Sequence, residues 1–322
     1  MIVITGGAGF IGSAIAAELN RRGNADLIIV DVLDHPEKQK NLDTLRYRQY
    51  FDRDDFLEKA LSRDLDGVEA IFHMGACSST TETDEVFLRK NNFDYSKELA
   101  LCALDINARF IYASSAATYG DGGQGYDDDE SRLETLRPLN PYGRSKQNFD
   151  LWAKERGLLR ELTGLKYFNV YGPNEYHKED MRSMVLKGHL QAAQTGSIRL
   201  FKSYKPEYAD GCQARDFLYI KDAVAMTLFF YDHPHARGIY NVGSGVASAW
   251  NDLAKYIFLA QEKSPEIEYI EMPAAIRDQY QYHTCAVMEK IRKAGCDLQL
   301  TSLANGIADY VREYLLPGNR LP

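Results

Sequence analysis

The chain opens on a short run of β-branched residues, Ile2–Thr5, and then changes period. Ile11, Ile15 and Leu19 recur at i, i+4 and i+8 ahead of Gly23, the pattern of a helix with one apolar stripe and a glycine stop. Leu27–Val30, Ala70–Phe72 and Phe110–Ser114 are further short runs without polar alternation. Strands of that kind are buried on both faces, which requires a parallel sheet covered by helices. The first half therefore predicts a Rossmann-type, doubly wound α/β fold.

Beyond Gly172 the rhythm loosens. Asn174–Arg182 is polar and charged, and Ser203–Ala214 reads as a polar loop containing Pro206 and Gly211. Asp222–Tyr231 predicts a helix, Ile239–Val242 and Ile267–Glu271 predict strands, and Leu303–Leu315 predicts a closing amphipathic helix. The expected division is a dinucleotide-binding domain over 1–172 and a smaller mixed α/β substrate domain over 173–322. Segments around 216–243 are expected to return to the first.

Composition narrows the function classes. The 322 residues include 38 basic and 46 acidic ones, a formal charge of −8. An acidic surface gains nothing from counterion release, so no nucleic-acid partner is expected. No apolar run reaches the roughly 18 residues of a membrane helix, so no membrane partner is expected either. Cys77, Cys102, Cys212, Cys285 and Cys296 form no Cys-x-x-Cys pair, which speaks against a disulfide framework or zinc cage. The N-terminus lacks the basic region and cleavage site of a signal peptide, and the expected location is cytoplasmic.

Candidate chemistry starts at Gly6, Gly9 and Gly12, spaced G-x-x-G-x-x-G between the first strand and first helix. Such glycines permit a tight turn, a close approach to a pyrophosphate and close helix–strand packing. The helix N-terminus favours the anion. Asp31 ends the second strand 19 residues beyond Gly12, where a carboxylate can take ribose hydroxyls. Asp31 alone indicates NAD. Lys38, Lys40 and Arg53 follow and could clamp a 2′-phosphate, which favours NADP.

Tyr142 and Lys146 form a Tyr-x-x-x-Lys, placing both on one helix face. The ammonium should lower the phenol pKa, so that Tyr142 exchanges a proton as a hydride moves. Ser115 follows a strand, where doubly wound sheets place ligands, and is positioned to hydrogen-bond the reacting oxygen. His73 reads as a core histidine, and Asp127–Glu130 as a solvated acidic loop. His233 and His235 lack an acidic partner at metal spacing, so no metal is expected.

These motifs resemble the extended short-chain dehydrogenase/reductase family, which holds nucleotide-sugar epimerases and dehydratases. The resemblance runs through TGGAGFIGS, HMGACSSTT (73–81), NN…YSKEL (91–99), SSAATYG, NPYGRSK, KYFNVYGPN (166–174) and ARDFLYIKDA (214–223). It implies a bound nicotinamide cofactor that oxidises a sugar carbon and is regenerated. The family's dehydratases carry an acidic pair after the catalytic Ser/Thr, whereas Ala116 and Ala117 stand here. The loop Gly75–Thr81 and the placement of His177-Lys178 after Tyr171-Gly172-Pro173 are similar to the branch that inverts carbon 6 of an ADP-linked heptose for lipopolysaccharide core synthesis.

Epimerisation outside the sugar ring lets a ketone turn within the site, so each orientation needs its own acid/base. The resemblance gives these roles to Tyr142 and Lys178. It implies cofactor contacts from Phe10, Ile11, Asp31, Lys38 and Arg53, and from Gly75, Ala76, Asn92, Lys146 and Val170. Asn169, Phe201, Arg215 and Tyr280 would hold the ADP-sugar, with Arg215 on the diphosphate. Self-association is common in the family, which implies a homo-oligomer. Met74, Val32, Glu179-Asp180 and the long 203–214 loop depart from its pattern. The rival readings are a UDP-hexose 4-epimerase-like enzyme and a non-catalytic NADP-binding regulator.

Overall fold

The computed structural model describes residues 1–277 and 280–321. Its strands are β1 (Ile2–Thr5), β2 (Leu27–Asp31), β3 (Gln49–Asp52), β4 (Ala70–His73), β5 (Arg109–Ser115) and β6 (Thr163–Tyr167). Then follow β7 (Asn169–Tyr171), β8 (Ile198–Phe201), β9 (Ala214–Tyr219), β10 (Gly238–Val242), β11 (Ala247–Ala249) and β12 (Ile267–Ile270). Seven of them form one sheet in the order β10-β6-β5-β4-β1-β2-β3, and every neighbouring pair is parallel. The order reverses between β1 and β4, and such a reversal opens a crevice at the carboxyl ends of the strands. The doubly wound expectation is met.

The central strands carry their apolar runs into the core: β1, β2 and β4 are buried throughout. Helices Phe10–Arg21 and Ile220–Asp232 pack on each other, and helices Arg53–Leu61, Tyr95–Asp105 and Pro141–Glu155 form a second group. A small sheet, β11-β9-β7, and the parallel pair β12-β8 lie outside the main sheet. The segment 216–243 divides: β9 pairs with β7 in the small sheet, whereas β10 joins the main sheet beside β6. Among the described residues no helix is long and apolar enough to cross a membrane.

Two strands of the main sheet escape an apolar-run reading for identifiable reasons. β3 is an edge strand whose residues are half-buried or exposed. β6 contains Lys166, which is fully buried and breaks the apolar run. The expected closing helix is α-helical over Leu303–Asp309 and continues in wider turns over Tyr310–Leu315.

The acidic run Asp127–Glu130 is not the solvated loop it resembles. Asp128 is buried and accepts from the Asn241 backbone N–H at 2.7 Å. Glu130 accepts from Ile239 N–H at 2.9 Å and pairs with Lys290 at 2.7 Å. Both N–H groups belong to β10, an edge strand, so the carboxylates occupy the side that lacks a neighbouring strand. Asp127 and Asp129 stay exposed. His73 is a satisfied core residue, 2.7 Å from Thr5 Oγ1 and 2.8 Å from Ser96 Oγ, and burial pushes its pKa down to about 3.

Gly12 generates a test of the crevice packing. A Cβ there would lie 2.2 Å from the Gly6 carbonyl oxygen, so the first helix would have to move off the turn. Gly12→Ala is expected to cost about 1–3 kcal/mol, as overpacking does, read by urea denaturation. An unchanged midpoint would show that the helix is free to shift.

Candidate active site

The first cleft lies where the strand order reverses. It has a volume of about 640 Å³ and is lined by Gly6, Gly9, Phe10, Ile11, Gly12, Asp31, Lys38, Gly75 and Ala76. Gly6 has φ +65°, and a Cβ there would come within 2.7 Å of Gly75 Cα. A Cβ on Gly9 would lie 3.0 Å from the Gly6 carbonyl oxygen. Two backbone turns thus approach each other without side chains between them and leave the helix N-terminus open to an anion. A dinucleotide pyrophosphate fits this cradle, which side chains would fill.

Asp31 is buried and already partly engaged. Its Oδ2 accepts from Ala8 N–H at 2.9 Å, and its Oδ1 accepts from Val32 N–H at 2.7 Å and from Lys38 Nζ at 3.1 Å. The carboxylate therefore holds the glycine turn to β2 besides facing the cleft. Burial opposes the Lys38 ammonium, but Asp31 and Asp34 outweigh it and raise its pKa. Lys40 pairs with Glu37 and does not line the cleft. Arg53 does not line it either: it pairs with Asp54 and donates to Asn91 Oδ1 at 2.5 Å. Asn92 is buried behind the cleft; its side-chain amide grips both the N–H and the carbonyl of Cys77, each at 2.9 Å, and reaches Ser145 Oγ. Burial raises the Cys77 thiol, as expected of a group with no nucleophilic role.

The helix Pro141–Glu155 begins at a strong cap. Asn140 accepts from Gly143 N–H at 2.7 Å, and Pro141 takes the first helical position. Tyr142 and Lys146 follow on one face, over the end of β5. Tyr142 and Ser115 line one cleft together, and Lys146 Nζ donates to the Ala113 carbonyl at 2.8 Å. The expected depression of the Tyr142 pKa by Lys146 is not found. Burial raises it, and the neighbouring Ser115 hydroxyl opposes that. Burial also lowers Lys146, to about 8, against the pull of Asp150.

A second cleft of about 380 Å³ adjoins the first and is lined by Ser115, Tyr142, Lys146, Asn169, Val170, Lys178 and Trp250. Lys178 lines both clefts. It sits in a short 3₁₀ segment, Tyr176–Met181, with its Nζ 5.5 Å from the centre of the Phe10 ring. Burial lowers its pKa and Glu175 opposes that. The next residue, Glu179, has φ +45°, a conformation that strains a non-glycine residue and turns the chain sharply. His177 lines the first cleft, and burial and the neighbouring lysines push its pKa down to about 4.

Arg215, Phe201 and Tyr280 form a separate cluster beyond the second cleft. Arg215 is 7% exposed and has no carboxylate partner among the described residues. Its guanidinium stands 5.0 Å from the centre of the Tyr280 ring and 5.7 Å from that of Trp250. Phe201 meets Tyr280 edge-on at 6.2 Å. Trp250 donates to the Tyr280 hydroxyl at 3.0 Å and also lines the second cleft, so it joins the two regions. No motif marks Trp250 in the sequence. The 203–214 loop is tied beside this cluster: Tyr204 N–H donates at 3.0 Å to the hydroxyl of Tyr282, whose ring meets that of Tyr280 at 5.4 Å, and within the loop Ser203 N–H donates to Asp210 at 2.7 Å. Among the described residues no three His, Cys, Asp or Glu side chains gather as a metal site.

The chain is 51% identical over 316 residues to the ADP-L-glycero-D-manno-heptose-6-epimerase of Nitratidesulfovibrio vulgaris strain DP4, covering 98% of each. It is 45% identical over 325 residues to the protein of the same name from Fusobacterium nucleatum, again covering 98% of each. The crystal structure of the Helicobacter pylori ADP-L-glycero-D-manno-heptose-6-epimerase superposes with a TM-score of 0.83 at 29% identity, over 97% of this chain and 95% of that one. A UDP-N-acetylglucosamine 4-epimerase from Methanobrevibacter ruminantium shares the fold, with a TM-score of 0.83 at 23% identity over 98% of each chain. Residues 2–243 match the NAD dependent epimerase/dehydratase family, and with the glycine cradle, Ser115, Tyr142 and Lys146 all in place the chain belongs to that family.

Proposed function

We propose that this chain is an ADP-L-glycero-D-manno-heptose 6-epimerase serving lipopolysaccharide core synthesis. The observation that supports this most is the placement of two ionisable groups, Tyr142 and Lys178, on one cleft from separate elements, with Lys178 also beside the cofactor cleft. Bound in the first cleft, a nicotinamide dinucleotide would supply hydride acceptance from carbon 6 and hydride return to it. The chain's own groups manage the proton. Ser115 holds the sugar oxygen. Tyr142 takes the hydroxyl proton in one orientation, and Lys178 gives a proton to that oxygen in the other. The substrate loses one hydride and one proton and regains both, so no cofactor is consumed. Lys146 braces the Tyr142 end of the site, and Arg215 pairs with the diphosphate, which suits a buried guanidinium with no carboxylate partner among the described residues.

The same reading assigns residues 1–172, with the returning β10 region, to the cofactor and the remainder to the ADP-sugar. It assigns NADP as the cofactor, supported by Lys38 facing the cleft. It places the enzyme in the cytoplasm as a homo-oligomer, supported by the exposed Val86, Phe87 and Leu101. A UDP-hexose 4-epimerase has no need of a second acid/base at Lys178. A non-catalytic regulator has no need of Ser115, Tyr142 and Lys146 together.

Two experiments test these assignments. Tyr142→Phe and Lys178→Met should each lower turnover by about 10²–10⁴ while calorimetry shows ADP-sugar binding retained. A Lys178→Met enzyme of full activity would remove the second acid/base. For the cofactor, Lys38→Ala should abolish the preference for NADP over NAD, whereas Arg53→Ala, whose guanidinium is turned to Asp54, should shift it less. Equal binding of NAD and NADP by the wild-type protein would contradict the NADP assignment.

A further inference from the structure

Helix Pro141–Glu155 presents a third ionisable residue one turn beyond Lys146, on the face that carries Tyr142. Asp150 is fully buried, and both its oxygens are used. Oδ1 accepts from the Tyr112 hydroxyl at 3.0 Å; Oδ2 accepts from Ser114 Oγ at 2.7 Å and lies 3.3 Å from Lys166 Nζ. Lys166 is fully buried as well, on β6. It donates to Thr118 Oγ1 at 2.5 Å and stands 4.8 Å from the centre of the Tyr119 ring. Thr118 in turn donates to the Ser115 carbonyl at 2.8 Å.

Stability is a weak reason for such a pair. Two charges lose their hydration on burial, and well-packed apolar residues often serve as well. Position supplies a better reason. Tyr112 and Ser114 flank Ala113, whose carbonyl holds the Lys146 amine. Ser114 also precedes Ser115, which lines the second cleft with Tyr142. Asp150 therefore ties the helix to β5 on both sides of the atoms that position Tyr142 and Lys146.

We infer that Asp150 is a positioning residue for the Tyr142–Lys146 pair: one turn beyond Lys146, its two oxygens fix the end of β5 against the helix. The inference rests on the proton chemistry proposed for Tyr142 and Lys146. The titratable groups that face Lys146 are Asp150 and Tyr142 from its own helix, Cys77 from the loop after β4, and His73 on β4. Lys166 faces Asp150 from β6. His73 is neutral, and the raised thiol pKa keeps Cys77 largely neutral, so Asp150 is the carboxylate that opposes burial at Lys146. Removing it lets burial act alone, and Lys146 then loses its proton at lower pH.

The test follows the Lys146 ¹³Cε resonance in lysine-labelled full-length protein, identified by its loss in Lys146→Arg. In Asp150→Asn the Lys146 titration midpoint should fall by about one pH unit or more. Asp150→Asn alone leaves Lys166 buried without its carboxylate, so Asp150→Asn/Lys166→Met, which removes both charges at similar volume, is measured beside it and should show a smaller fall in the same direction. The alkaline limb of kcat/KM should move down with the midpoint. An unchanged midpoint in both variants, or activity that drops evenly at all pH values, would overturn the inference. A shifted midpoint in a protein that does not act on ADP-heptose would remove the substrate reading and leave the role of Asp150 in place.

Discussion

The contact between two backbone turns at the reversal of the sheet is the constraint from which the rest of the site follows. Gly6, at the end of β1, and Gly75, after β4, meet so closely that a Cβ on either would clash. Because β1 and β4 are parallel neighbours, their carboxyl ends open on the same edge. The helix that starts at Phe10 is held there by Gly12 against Gly6, so its free N–H groups face the crevice. Ser115 ends β5, the next strand along that edge, and the helix carrying Tyr142 and Lys146 packs beside it. The cofactor cradle and the proton-handling groups adjoin because the sheet places them on one edge.

Burial sets the electrostatics of the site more than pairwise attraction does. It is the largest cause for Tyr142, Lys146 and Lys178, and it disfavours the charged form of each. A phenol raised and two lysines lowered move apart on the pH scale, so burial favours the neutral form of all three. Each also has a resisting partner: Ser115 for Tyr142, Asp150 for Lys146 and Glu175 for Lys178. The expectation of a lysine depressing the tyrosine treats the pair as if it stood in water. In the structure the Lys146 amine is occupied by a β5 carbonyl, and the phenol is dry.

Local patterns made the sheet and the glycine turn legible in the sequence, because a doubly buried strand and a glycine that must lack a Cβ both leave a mark in residue type. Ser115, Tyr142 and Lys146 were legible for the same reason: strand end, helix start and i, i+4 spacing are local facts. What depends on distant contacts was not. Arg53 reads as a cleft cation, but Asp54 and Asn91 hold it. Asp128 and Glu130 read as solvated acids, but they complete an edge strand more than 100 residues away. Trp250 stands alone in the sequence and becomes part of the site only when its helix brings it against Arg215 and Tyr280.

Inversion at carbon 6 through hydride removal and return is decided by incubating each ADP-heptose epimer separately in D₂O and following the products by NMR. Both epimers should converge on one ratio, carbon 6 should keep its protium and added nicotinamide cofactor should not be consumed. Deuterium at carbon 6, or inversion at carbon 4 of a UDP-hexose with no change in either ADP-heptose, would contradict it.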